Sequence, residues 1–250
     1  MRKIICVIGF LLLWGRTFSQ IVNIETQRIQ SDTTGWLGSI GSSFSFEKNV
    51  VEVLNISTMV HVEYKTHKSL YLVLMNYQFL GGSGQTLDNN FFYHLRYNYK
   101  LGPVVRWEAF TQLQNNRITG IRSRFLVGSG PRFKILKSSH FALYASTAAM
   151  YEFEKEETSP LTTQEGIRSS SYISANFKPS GKAEFITTLF YQPLFRNFND
   201  YRILNEVSIK LKFTKRFDFS IGWQYLYDNN PVPLVPKLSY RITNGIEYHF

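Results

Sequence analysis

Phe217-Asp218-Phe219-Ser220-Ile221-Gly222-Trp223-Gln224-Tyr225-Leu226-Tyr227 alternates with a period of two. Every odd position is apolar or aromatic, and every even one except Leu226 is small or polar. Successive side chains of a β-strand point to opposite faces, so this stretch is a strand between an apolar medium and a polar one. The segment after it repeats the code, with Leu238, Tyr240, Ile242, Ile246, Tyr248 and Phe250 against Ser239, Arg241, Thr243, Gly245, Glu247 and His249. The segment before it sets Tyr201, Ile203, Val207, Ile209, Leu211 and Phe213 against Arg202, Glu206, Ser208, Lys210 and Lys212.

The same pattern recurs upstream. Phe91, Tyr93, Leu95, Tyr97, Tyr99 and Leu101 alternate with His94, Arg96, Asn98 and Lys100, and Leu54, Ile56, Val60, Val62 and Tyr64 alternate with Asn55, Ser57, His61 and Glu63. Weaker alternation runs through 36–47, 69–80, 104–114, 118–136, 140–154, 167–178 and 183–195. The total is about twelve strands, or ten if one hairpin of the first third is mis-split, and bacterial single-chain barrels take even numbers. Short links are predicted at Thr66–Lys68, Leu101–Pro103, Leu136–Ser139, Pro179–Gly181 and Thr214–Arg216. Longer outer loops are predicted at Gly81–Asn90, Glu154–Gly166, Pro193–Asp200 and Asp228–Pro236. Short and long links alternating in this way predict an all-β fold, a transmembrane antiparallel up-and-down β-barrel.

The rest of the chain supports that reading. Met1-Arg2-Lys3, the apolar run Ile4–Trp14 and the polar Gly15–Gln20 predict a signal peptide over 1–19, cleaved after Ser19. Its apolar part is too short for a membrane core that needs roughly 20 helical residues. Residues 20–34 are expected as a periplasmic segment and 35–250 as the barrel. Cleavage removes Arg2, Lys3 and Arg16, lowering the formal charge from +10 to +7, and removes Cys6, the single cysteine. The remaining cations are spread one or two per strand, without the patch that nucleic acid requires, so no nucleic-acid partner is expected. Aromatic residues make up 16% of the chain, and no later window holds the apolar run of a membrane helix. A soluble β-sandwich also alternates, but it concentrates aromatics at mid-strand. Here Trp36, Tyr64, Trp107, Tyr151, Tyr201, Trp223, Tyr227 and Tyr248 mostly fall toward strand ends, as an aromatic girdle does.

Several short motifs carry a family likeness. Val22-Asn23-Ile24-Glu25, the Gly35–Phe46 strand, Tyr151-Glu152-Phe153-Glu154, Asp200-Tyr201-Arg202 and the closing Asn244-Gly245-Ile246-Glu247-Tyr248-His249-Phe250 together resemble the YdiY-like salt-induced outer-membrane protein family. The resemblance implies a Gram-negative outer-membrane barrel, a domain of unknown function, and transfers no active site.

The inward faces hold the polar chemistry. Arg96, Lys100, Arg106, Arg122, Arg124, Arg132, Arg168, Arg202, Lys210, Lys212 and Arg241 are expected to line the lumen, with Glu63, Glu108, Glu152, Glu154, Glu206, Asp218 and Glu247 opposing them. Either a porin-like passage favouring anions results, or a lumen filled by ion pairs. Arg122, Arg124 and Arg132 on one strand face Glu152 and Glu154 on the next, which predicts cross-strand ion pairs. Ile246, Tyr248 and Phe250 are expected to form a C-terminal insertion signal for the barrel-assembly machinery. No serine-hydrolase arrangement, metal-ligand spacing or phosphate loop is present, so neither an enzyme nor a cofactor or metal is expected. The function that follows is a small channel or envelope-structural barrel in contact with outer-membrane lipid and with small ions or solutes. The alternatives are recognition of a ligand by the outer loops and lipid hydrolysis through His61 or His94.

Overall fold

The computed structural model describes residues 34–48, 52–82, 85–116, 120–158, 160–214, 217–233 and 235–248. The expected signal peptide, most of the 20–34 segment and Phe250 lie outside them. Twelve strands follow one another: β1 (Gly35–Lys48), β2 (Glu52–Lys65), β3 (Ser69–Gly82), β4 (Gln85–Lys100), β5 (Val105–Asn116), β6 (Ile121–Lys137), β7 (Phe141–Glu156), β8 (Thr162–Ser180), β9 (Ala183–Leu194), β10 (Asn197–Lys212), β11 (Phe217–Asp228) and β12 (Leu238–Tyr248). Each pairs antiparallel with its neighbour in chain order. The count is twelve, not ten.

Side-chain polarity is inverted relative to a soluble protein. Ile40, Met75, Leu95, Leu113, Val127, Ile173, Leu189, Trp223 and Ile242 are exposed on the outer face. Glu63, His94, Arg96, Glu108, Arg124, Glu152, Arg168 and Arg202 are buried within. A β-sandwich would bury the first group and expose the second. Aromatics gather at both ends of the outer face. Trp36, Tyr64, Tyr71 and Tyr97 follow one another at centroid distances of 4.8, 6.2 and 4.9 Å at the turn end, and Tyr191, Tyr201 and Tyr227 at 5.9 and 6.0 Å at the loop end. Two such belts bracket the apolar band of a transmembrane barrel.

No register joins β1 to β12 among the described residues, but contacts across the interior show how far the sheet curls. Tyr172 of β8 donates its hydroxyl to Glu108 of β5 at 3.1 Å, skipping two strands. The segment between β11 and β12 reaches that between β5 and β6, six strands away. Val232 is buried there against Gly120, where a Cβ would lie 2.9 Å from Val232 Cγ1. Gly120 also has φ of +70°, so both space and backbone require glycine.

The outer loops are shorter than expected. β3 and β4 extend through most of Gly81–Asn90, β7 and β8 leave five residues between Glu156 and Thr162, and β9 turns into β10 across Phe195–Arg196. At the loop-side ends of β4 and β5 an asparagine side chain also bonds the neighbouring backbone. Asn115 Oδ1 accepts from the Phe91 amide at 2.6 Å, and Asn115 Nδ2 donates to Asn89 O at 2.9 Å. Only Asp228–Pro236 keeps its expected length.

Ile173 lies midway along β8, exposed between Ala145 and Leu189 on the outer face. Ile173→Arg should reduce folding stability in lipid vesicles by about 2–4 kcal/mol, the cost of a cation near the bilayer midplane. Denaturant titration checks this, with Ile173→Leu as the near-neutral control.

Candidate functional site

The interior splits into two regions, beginning with the loop-side half of β6–β11. Neighbouring strands place Arg124 opposite Glu154, and Leu126 opposite Glu152. Arg124 Nη2 lies 2.5 Å from Glu152 and its Nε 3.3 Å from Glu154. Arg168 of β8 pairs with Glu152 and, at 2.7 Å, with Asp200. Arg202 of β10 reaches back across β9 and β8 to Glu152 at 2.6 Å and Glu154 at 3.4 Å, and holds Asp228 at 2.8 Å. Three arginines and four carboxylates, all nearly inaccessible, thus form one lattice joining five strands. A buried ion persists only when paired, and here the three arginines, Glu152 and Glu154 are each paired more than once.

Glu108 organises a second, smaller group. It lies 3.4 Å from Arg96 and 3.8 Å from Arg132, and also accepts from Tyr172. The Arg132 guanidinium stands 4.1 Å over the Tyr144 ring and that of Arg96 5.5 Å over Phe110. Tyr172, Phe190, Leu204 and Leu226 fill the neighbouring interior of β8–β11 with apolar side chains.

The inner face of β2–β5 is different. A polar cavity of about 270 Å³ opens at the turn-side mouth, lined by Lys65, Lys68, Asn98, Lys100 and Arg106. A second, of about 220 Å³, lies toward the loop side between Ser57, Gln78, Gln114, Asn116 and Arg241 of β12. Leu72, Leu74 and Phe92 form a buried apolar layer on the inner face of β3 and β4. His94 stacks 6.2 Å from Phe92 and 5.8 Å from Phe110, its Nδ1 3.1 Å from Gln112 Oε1.

Of the lumen residues expected from sequence, Arg96, Arg124, Arg132, Arg202, Glu63, Glu108, Glu152 and Glu154 are buried inside. Arg106 and Arg241 line the two cavities. Glu206 accepts from Gln224 at 2.7 Å, Lys210 is half-buried, and Lys212 is exposed at the turn-side rim. Arg122 is exposed and does not join the ion pairs, because the β6–β7 register shifts between Ile121 and Ser123 and breaks the alternation there. Arg132 turns to Glu108 and not to Glu152 or Glu154. The side chains of Ile246, Glu247 and Tyr248 lie outside the described set, as does Phe250. His61 bonds Glu63 at 3.1 Å. Among the described residues no group of three or more His, Cys, Asp or Glu is placed to hold a metal ion.

Sequence reading missed Asp200 and Asp228, which sit at strand ends beyond the alternating runs, and the inward leucines of β3. Leu70, Leu72 and Leu74 alternate with Tyr71, Val73 and Met75, so both faces are apolar and the period-two signal vanishes.

The family described as "Protein of unknown function, DUF481" matches residues 42–250, from within β1 to the last residue. The chain belongs to the DUF481 family. The YdiY-like outer-membrane proteins belong to it too, in agreement with the motif resemblance. No match was found among curated proteins. Among solved structures, this DUF481 chain is similar to the NanC porin, with 11% identity and a TM-score of 0.50 over 84% of this chain and 98% of that one. It is also similar to the translocator domain of the autotransporter NalP from Neisseria meningitidis, with 11% identity and a TM-score of 0.51 over 88% and 90%. Both likenesses show the fold, that of outer-membrane β-barrels.

Glu152→Gln leaves three buried arginines short of their shared carboxylate charge. The variant should lose about 3–5 kcal/mol of stability, as breaking a buried ion pair from one side does. The readout is a lower temperature for the gel-mobility shift of the folded barrel; an unchanged shift contradicts the lattice.

Proposed function

We propose that this DUF481 chain is a narrow outer-membrane channel for small anions, closed at mid-height by the Leu72–Leu74–Phe92 layer. The observation that carries the reading is the pair of cavities on the inner face of β2–β5, a polar one on the turn side and a second of mixed lining on the loop side. Between those ends, the inward positions of β3 and β4 carry the apolar layer and His94. The opposite side of the barrel is filled by the ion-pair lattice and the Tyr172 cluster, leaving β2–β5 as the route. Cations predominate along it: Lys65, Lys68, Lys100 and Arg106 at one cavity and Arg241 at the other. Rings of basic side chains favour anions, and an apolar constriction gates by excluding water. Membership of a family that includes outer-membrane proteins and likeness to a porin fold support the setting.

Planar-bilayer recording of the refolded protein under a salt gradient tests this. The wild type should give small, anion-preferring steps. Leu72→Ser with Leu74→Ser should raise conductance severalfold, and Arg241→Glu should weaken the anion preference. Silence from both wild type and the double serine variant, each verified as folded, contradicts the channel and leaves a structural barrel.

A further inference from the structure

The turn-side cavity has features that a plain ion path does not require. Register places Lys100 of β4 directly opposite Arg106 of β5, and Arg106 directly opposite Arg132 of β6. Residues opposed in an antiparallel pair have Cβ atoms about 4.5–5.5 Å apart, and like charges at that spacing destabilise the sheet. Three cations in one cross-strand row are therefore an electrostatic cost. Glu108, one level deeper, relieves it at Arg132. At the cavity end of the row, Lys100 and Arg106 line the cavity together with Lys68.

Asn98 adds an independent sign. It is 2% exposed and lines the same cavity, yet neither its amide nitrogen nor its amide oxygen has a hydrogen-bond partner. Buried amides are nearly always bonded, because an unsatisfied one costs roughly 1–3 kcal/mol. The side-chain amide of an Asn at the floor of a cationic cavity can both donate to and accept from whatever enters. A ligand that uses both carries anionic oxygens and a hydroxyl proton.

The geometry points to a binding site for a soluble phosphate-class anion in this mouth, inorganic phosphate or a small phosphate monoester. Lys100, Arg106 and Lys68 supply charge, the Asn98 amide nitrogen donates to a phosphate oxygen, and its carbonyl accepts from a P–OH or neighbouring hydroxyl. The cavity of about 270 Å³ has room for a phosphate with a short hydroxylated tail. Asn98, Lys100 and Arg106 occupy inward positions, so the ligand comes from solution in the barrel mouth and not from a lipid headgroup outside. The site rests on the reading of β2–β5 as the anion route, but binding does not require conduction.

Isothermal titration of the refolded, detergent-solubilised full chain with inorganic phosphate, and separately with glycerol 3-phosphate, tests the proposal in chloride buffer, with glycerol as the uncharged control. Both phosphates should give saturable binding, tighter for glycerol 3-phosphate, and glycerol none. Lys100→Gln should weaken binding about tenfold, as losing one charge-assisted hydrogen bond does. Asn98→Leu should abolish the advantage of glycerol 3-phosphate. Lys212→Gln, a cation at the same rim outside the cavity, should leave affinity unchanged. Absence of saturable heat from folded wild type, or equal weakening by Lys212→Gln and Lys100→Gln, overturns the site. Conduction without phosphate binding overturns the site and leaves the channel; phosphate binding by a silent barrel leaves the site and overturns the channel.

Discussion

Glu152 forms ion pairs with three arginines on three strands, Arg124 of β6, Arg168 of β8 and Arg202 of β10. The rest of the interior depends on that convergence. A sheet that turns its apolar side chains outward must take its charges inward, where water is scarce and each ion is tolerated only beside its counter-ion. One carboxylate reached from three directions draws β6 to β10 into a common arc. The same chords that satisfy the charges set the curvature, since Arg202 can meet Glu152 only if β7 and β10 face each other across the barrel.

That arrangement divides the lumen. Lattice and Tyr172 cluster occupy the side of β6–β11, where Thr188 and Leu204 are fully inaccessible. The inner face of β2–β5 surrounds two cavities, with the leucines of β3 and Phe92 forming an apolar waist between them. Packed interior and open space thus lie on opposite walls. Over the loop-side mouth, Asn229 and Asn230 tie the β11–β12 segment to Asn199 and Asp200 while Val232 rests on Gly120.

Much of this was legible in the residues, and what was not has physical reasons. Strands with one apolar and one polar face, such as Phe217–Tyr227, declare their register because a shift of one residue would turn every side chain over. Arg124 with Glu152 and Glu154 was readable for the same reason, as neighbours on adjacent inward faces. Arg122 was misread because a bulge adds a residue that period-two counting cannot see. The pairing of Arg202 with Glu152, separated by 50 positions and two intervening strands, depends on curvature, which alternation does not encode. The waist at Leu72 and Leu74 was hidden because a strand apolar on both faces looks like noise to a search for alternation.

The division of the lumen is the central claim, and thiol accessibility tests it most directly. Single cysteines introduced at Ser57, Lys100, Leu74 and Thr188, in the refolded chain from Gln20 onward so that Cys6 is absent, would be exposed to a small membrane-impermeant thiol reagent. Rapid labelling at Ser57 and Lys100, slow labelling at Leu74 and protection at Thr188 is the predicted result. Labelling at Thr188 as fast as at Ser57 would show water on both walls and contradict it.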